Sequence, residues 1–166
     1  RRVLFRSFGE ASLLDLHDYE LGFLDRWLKG QVGDWDDRPP IRLFTMGRNT
    51  WRDEDQWPLA TTRWTPMYLD SDGGANTLHG NGRLAPVTAG DAPADSFVYD
   101  PDDPVPTQGG NLLVLPIGAK DQRDVEARPD VLVYTGDVLT DELEVTGPIE
   151  VVLYVDTSAL DTDFTA

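Results

Sequence analysis

The chain holds few residues of the types that carry nucleophilic or acid–base catalysis. Its 166 residues include no cysteine and two histidines, His17 and His79. A serine nucleophile on a sharp strand-to-helix turn has the pattern G-x-S-x-G and needs an acid and a later histidine. That pattern does not occur here. The sequence therefore predicts no complete triad and no catalytic residue within the chain.

The two histidines fit structural positions better than catalytic ones. His17 falls inside an amphipathic helical pattern, whereas the mobile base of a triad is carried by a loop. His79 lies in the turn-rich run N-T-L-H-G-N-G, without a nucleophile motif nearby. We expect His17 to be a structural residue of the helix and His79 to be a surface turn residue.

Acidic clusters raise the possibility of a metal site, but their spacing argues against one. They lie at residues 70–74, 100–103 and 161–163. A calcium loop needs about six oxygen ligands in ordered sequence, ending in a bidentate carboxylate. None of the three runs has that frame, so we expect solvated turn aspartates and no metal.

The run W-R-D-E-D-Q-W-P places Trp51 and Trp57 around Arg52 and three carboxylates. Exposed tryptophans in a β-sandwich can stack on sugars, and Trp64 would extend such a platform. The alternative is that the rings pack in the sandwich and that Arg52 pairs with acids in its own loop. We favour the second interpretation.

The charge balance limits the class of partner. A formal net charge of −16 argues against nucleic acid and against anionic membranes, since both select basic surfaces. No apolar run approaches membrane-spanning length, and no long apolar signal-peptide core follows the basic start. These features favour the cytoplasm over secretion. Compartment and oligomeric state otherwise stay open.

The elements follow from hydrophobic periodicity. Residues 12–29 repeat apolar positions at three- and four-residue steps and end at Gly30, which predicts an amphipathic helix with a left-handed cap. After the acidic connector 31–40, short apolar runs alternate with Gly, Pro and Asp clusters. This pattern predicts a mainly β sandwich or barrel. The predicted strands cover residues 41–46, 67–69, 97–99, 112–117, 131–134, 143–145 and 149–155.

The backbone conformation is restricted in the run D-S-F-V-Y-D-P-D-D-P-V-P-T-Q-G-G-N (95–111). Three prolines fix φ there, and Gly109 and Gly110 allow positive φ. Together with I-R-L-F-T-M-G-R-N-T-W-R (41–52), D-Q-R-D-V-E-A-R-P-D-V-L-V-Y-T (121–135) and the terminal D-T-D-F-T-A, this run resembles one family. That family is the cocaine esterase and Xaa-Pro dipeptidyl-peptidase group of α/β-hydrolase serine hydrolases.

The resemblance implies a domain organisation. In this family an α/β-hydrolase domain carries the Ser-Asp-His triad, and a C-terminal β-sandwich of jelly-roll type helps to wall the substrate pocket. Residues 8–38 resemble the last helix and connector of the catalytic domain. Residues 39–166 resemble the sandwich, incomplete and truncated before its last strands. The chain is thus predicted to be a C-terminal fragment.

Residues 1–7, R-R-V-L-F-R-S, have no counterpart in that resemblance. The DNA string CGACGTGTGCTCTTCCGATCT encodes them and looks like a sequencing adapter. We therefore predict that this segment is non-native. Cloning the same seven codons from source DNA would contradict the prediction.

The resemblance also implies a function and two substrate-binding residues. The full enzyme would cleave small acyl esters or Xaa-Pro-type peptide bonds through an acyl-enzyme, without a cofactor. Leu113 and Val114 match positions that face the acyl pocket, although ordinary strand core is an equal alternative for both. The fragment alone would be inactive. The second hypothesis is a stand-alone sandwich that binds carbohydrate or a protein.

Overall fold

The computed structural model describes residues 8–88, 90–111 and 117–166. Helix α1 spans Leu16–Lys29 and follows a 3₁₀ turn at Glu10–Ser12. Strands β1 (Ile41–Thr45) and β2 (Thr50–Glu54) form one two-stranded sheet. Strands β3 (Tyr68–Asp70) and β4 (Arg83–Ala85) form another. A short helix, α2 (Arg123–Glu126), comes later in the chain.

Helix α1 confirms the predicted helix, with a later start. The chain is extended at Leu13 (φ −78°, ψ 131°), so the regular helix begins only at Leu16. Its end is as predicted: Gly30 has φ +68°, and the Gln31 amide donates to the Asp25 carbonyl at 3.1 Å. Glycine reaches this left-handed conformation without steric cost, so Gly30 ends the helix in a left-handed cap.

The chain divides into two compact units. One comprises Leu16–Leu43, Trp51–Thr62 and Glu144–Ala166. In it, Trp35 of the connector packs edge-on against Tyr19 and Phe23 of α1, with ring centroids 6.1 and 6.0 Å away. Gly22 faces the same indole, and a Cβ there would lie 3.0 Å from Trp35 Cε3. A small residue at this helix position therefore lets the connector lie against α1.

The same unit is also held by arginine–aromatic contacts. The Arg38 guanidinium lies 5.0 Å from the Tyr19 ring and 5.1 Å from the Trp35 ring, within cation–π range. Arg42 donates to the Tyr19 hydroxyl at 2.8 Å and lies 5.6 Å from the Trp51 ring. These contacts link α1, the connector and the first sheet residues.

The other unit comprises the residues up to Asp15, Phe44–Thr50 and Arg63–Leu143. Here β3 and β4 pair antiparallel, with Leu69 opposite Leu84. The segment 133–135 runs beside β4 and makes a parallel bridge between Arg83 and Thr135. Three backbone hydrogen bonds fix it: Val133 N to Ala75 O, Thr135 N to Gly82 O and Leu84 N to Thr135 O.

The mainly β architecture with one preceding helix is confirmed, whereas the jelly-roll topology stays a prediction. Two predicted runs coincide with β1 and β3, while β2 and β4 were not predicted. Within the described residues, the runs 97–99, 131–134, 143–145 and 149–155 are not strands. The helical turn α2 was also missed, because four residues are too few to show a helical period.

Burial is slight in the part of the chain that the structure describes. Leu59 and Ala75 are its buried apolar residues, and Ser71 is its buried polar one. Many apolar side chains after residue 137 are exposed, with Tyr154 at 98%. No described helix is long and apolar enough to cross a membrane.

Candidate functional site

Asp95 is the centre of a polar network in the unit that contains β3 and β4. Its Oδ2 accepts hydrogen bonds from the Ser71 hydroxyl at 2.6 Å and the Tyr134 hydroxyl at 2.7 Å. Its Oδ1 accepts from the Ala75 amide at 2.8 Å. The Gly73 amide in turn donates to the Ser71 oxygen at 3.1 Å. One carboxylate therefore joins three segments that are distant in sequence.

The protonation of this network follows from its geometry. Burial raises the pKa of Asp95, but the hydrogen bonds from Ser71, Tyr134 and Ala75 together outweigh it and leave the pKa below its usual range. Burial, followed by the bond to the Asp95 carboxylate, raises the pKa of the Tyr134 phenol. Near neutral pH the network is thus an ionised carboxylate with neutral hydroxyl donors.

The lowered pKa predicts that acid weakens the fold through Asp95. A carboxylate whose pKa is lower in the folded state stabilises that state above its unfolded pKa, here near 3.8, and loses the effect as pH falls through the folded value. Urea unfolding of wild type and Asp95→Asn at pH 6, 4 and about 3 would test this. We expect the stability difference between them to shrink below about pH 4. A constant difference would contradict the prediction.

Ser71 cannot serve as a nucleophile in this arrangement. Its hydroxyl donates directly to Asp95, and no imidazole takes part in the bonds described around it. Serine catalysis needs a general base that can accept the proton and return it. The geometry instead suits a structural clamp on the turn at residues 71–75.

A second feature is the closure of the chain between Gly110 and Gly118. Each amide donates to the other's carbonyl, at 2.8 and 2.9 Å. Gly109, Gly110 and Gly118 have φ of +72°, +86° and +78°, a region that favours glycine. The predicted substrate-binding residues Leu113 and Val114 lie between these glycines in sequence, but they fall outside the described residues.

Arg128 forms a third cluster, next to an acidic cavity. Its guanidinium pairs with Asp130 through two 2.8 Å contacts and with Asp103, whose carbonyl it also contacts at 2.6 Å. Hydrogen bonds to Asp130 and then Asp103 raise the pKa of Arg128. A cavity of about 430 Å³ lies here, lined by Val98, Asp100, Asp103, Asp124, Ala127, Arg128, Pro129 and Asp130. Within the described ranges, no group of three His, Asp or Glu side chains could hold a metal ion.

The remaining candidates from the sequence are spread over the chain. His79 lies at the surface, as predicted, and His17 is exposed as well. Arg52 pairs with Glu54 at 3.0 Å, which agrees with the predicted pairing inside its loop, and with Glu144 at 2.6 Å. Trp51 is partly buried against Arg42, while Trp57 and Trp64 are 48% and 64% exposed. The described residues thus contain a scaffold with structured loops and no catalytic constellation.

Comparison with known protein families identifies the family of this chain. Residues 33–166 match the model of the X-Pro dipeptidyl-peptidase C-terminal non-catalytic domain. The chain belongs to this family.

Known relatives extend the match to nearly the whole chain. The chain is 45% identical to a protein named cocaine esterase from Rhodococcus sp. (strain MB1 Bresler), over 97% of this chain and 29% of that protein. It is 30% identical to proteins named "Putative serine esterase" from Mycobacterium bovis and Mycobacterium tuberculosis, over 89% of this chain and 23% of each. The chain therefore spans less than a third of the length of these relatives.

Proposed function

We propose that this chain is the C-terminal, non-catalytic part of a serine hydrolase that cleaves esters or Xaa-Pro-type peptide bonds through an acyl-enzyme. The observation that carries the proposal is the 45% identity to an esterase along 97% of the chain. The family description supports the proposal as well, since it names this domain non-catalytic. The chain would contribute domain packing and one wall of the substrate pocket.

The chemistry would then reside in a part of the parent that this chain does not include. A serine would attack the carbonyl carbon, a histidine would take the serine proton, and backbone amides would stabilise the oxyanion. No cofactor is needed for such a reaction. The described residues support this proposal, because they form a fixed scaffold with glycine-containing loops. Substrate would reach them only through the catalytic domain.

The proposal is tested by comparing the parent with this chain alone. The upstream reading frame would be recovered and both proteins assayed with p-nitrophenyl acetate and an Ala-Pro p-nitroanilide. We expect the parent to turn over one of these substrates and residues 8–166 to turn over neither. A parent that is inert toward esters and Xaa-Pro amides would overturn the proposal.

A substitution in the proposed pocket wall gives a sharper test. Leu113→Trp in the parent would fill acyl space, so kcat/KM for a bulky benzoyl ester should fall at least tenfold more than that for an acetyl ester. Val87→Trp is the control, because Val87 is 72% exposed in the same unit. If Leu113→Trp leaves turnover of both esters unchanged, Leu113 is ordinary strand core.

A further inference from the structure

Helix α1 packs on the connector through its polar and small side chains. The Tyr19 ring packs edge-on against Trp35, and Gly22 faces the same indole. Arg26 pairs with Asp36. Tyr19, Gly22 and Arg26 follow each other at steps of three and four residues, so they share one face of the helix. We call it the connector face.

The opposite face of α1 is apolar. Leu24 lies two residues after Gly22 and therefore points about 160° away from it around the helix axis, at 3.6 residues per turn. Leu21, Trp27 and Leu28 lie three or four residues from Leu24 and so belong to the same side. The exposed fractions of these four side chains, the apolar face, run from 43% to 77%.

Such a face needs a cover. Isolated apolar residues are ordinary on a protein surface, whereas a contiguous apolar patch marks an interaction site. A helix of 14 residues is also only marginally stable by itself, and most helical stability in proteins comes from burial of an apolar face. Within the described residues, α1 instead packs its connector face and leaves much of its apolar face in solvent.

The extent of the matches indicates where the cover lies. The C-terminal non-catalytic domain begins at residue 33, after α1 has ended. The match to the relative with 45% identity covers 97% of the chain and so includes α1, yet it accounts for only 29% of that protein. Because the matched domain is a C-terminal one, the missing length belongs ahead of it. Helix α1 thus lies between that missing length and the non-catalytic domain.

We propose that the apolar face of α1 docks on an apolar surface of the upstream catalytic part of the parent, an inference that rests on the proposed function. The connector face holds Trp35 and Asp36 at the same time, so one helix joins the catalytic part to the connector. Charge favours this occupant over a second copy of the chain, because two copies would bring together net charges of −16 each.

Cysteine labelling in the parent tests the docking directly, since this chain has no cysteine of its own. Leu24→Cys and Leu28→Cys place thiols on the apolar face. Lys29→Cys is the control on the same helix, because Lys29 is 62% exposed and lies about 140° from Leu24 around the axis. We expect N-ethylmaleimide to label both apolar-face thiols at least about tenfold more slowly than the control in the native parent, and equally fast in urea.

A second measurement needs no substitution and decides the question where a cysteine variant does not fold. Hydroxyl-radical oxidation of Trp27 would be followed by mass spectrometry in the wild-type parent and in this chain, with free adenine as the dose standard. Trp27 is 65% exposed in this chain. We expect its oxidation rate to be at least about fivefold lower in the parent, because docking removes the indole from solvent. An unchanged rate would overturn the inference.

The labelling outcomes separate this inference from the proposed function. Equal labelling of all three thiols in a native parent that hydrolyses p-nitrophenyl acetate overturns the docking and leaves the proposed function standing. Protection that is lost on dilution of the parent also overturns it, because a second copy would then cover the face. Protection that persists on dilution, in a parent inert toward esters and Xaa-Pro amides, supports docking on the upstream part and overturns its assignment as a hydrolase.

Discussion

Replacement of Asp95 by alanine is expected to lower the free energy of unfolding by about 3 kcal/mol. The change removes the shared acceptor of Ser71, Tyr134 and the Ala75 amide. Hydrogen bonds to a charged group stabilise by about 1.5–3 kcal/mol each, although they are not additive in one network. Ser71 is 7% exposed, so its hydroxyl would also lose a partner away from water.

Urea unfolding followed by tryptophan fluorescence would measure this effect. Asp91→Ala is the matched control, because Asp91 is an exposed aspartate in the same loop and should change stability by less than about 0.5 kcal/mol. Asp95→Asn should fall between the two, since its amide oxygen can still accept from Ala75. Equal midpoints for Asp95→Ala and Asp91→Ala would show that the network stabilises nothing.

Gly82→Ala should destabilise by a similar amount, about 3 kcal/mol, for a steric reason. A Cβ at Gly82 would lie 2.1 Å from the Val133 carbonyl oxygen and 2.9 Å from Ala75 Cβ. The Val133 backbone cannot move aside freely, because its amide donates to the Ala75 carbonyl at 2.8 Å. Relief of the clash therefore requires breaking the backbone pairing beside β4.

The control for this substitution is Gly136→Ala, at the end of the same paired segment. A Cβ there would meet the Leu84 carbonyl oxygen at 3.6 Å, which is ordinary contact. We expect Gly136→Ala to leave the urea midpoint within about 0.5 kcal/mol of wild type. If Gly82→Ala were tolerated as well as Gly136→Ala, the parallel pairing of residues 133–135 with β4 would be wrong.

Local signals predicted local structure well. The helix and its end followed from the apolar repeat and Gly30, because both act within a few residues. The helix was predicted to start at Ser12, whereas it starts at Leu16, because Leu13 adopts an extended conformation that no periodic pattern reveals. The run 149–155 has the composition of a strand, but a strand needs a pairing partner, and composition does not supply one.

The long-range contacts could not be predicted from the sequence. Asp95 meets Ser71 across 24 residues and Tyr134 across 39, and nothing in the local pattern links the three. The aspartates of the run D-S-D-G-G (70–74) were considered as metal ligands, yet Ser71 is the buried residue of that turn. Leu113 and Val114 were assigned by resemblance alone and fall outside the described residues, so their role stays a prediction.

The most direct test of the account is to find which residue of the parent is acylated. The recovered parent would be treated with a fluorophosphonate, digested, and the adduct located by mass spectrometry. We predict one modified serine, upstream of residue 8, and no adduct on the isolated chain. An adduct on a serine within residues 8–166, such as Ser71, would contradict a non-catalytic role for this chain.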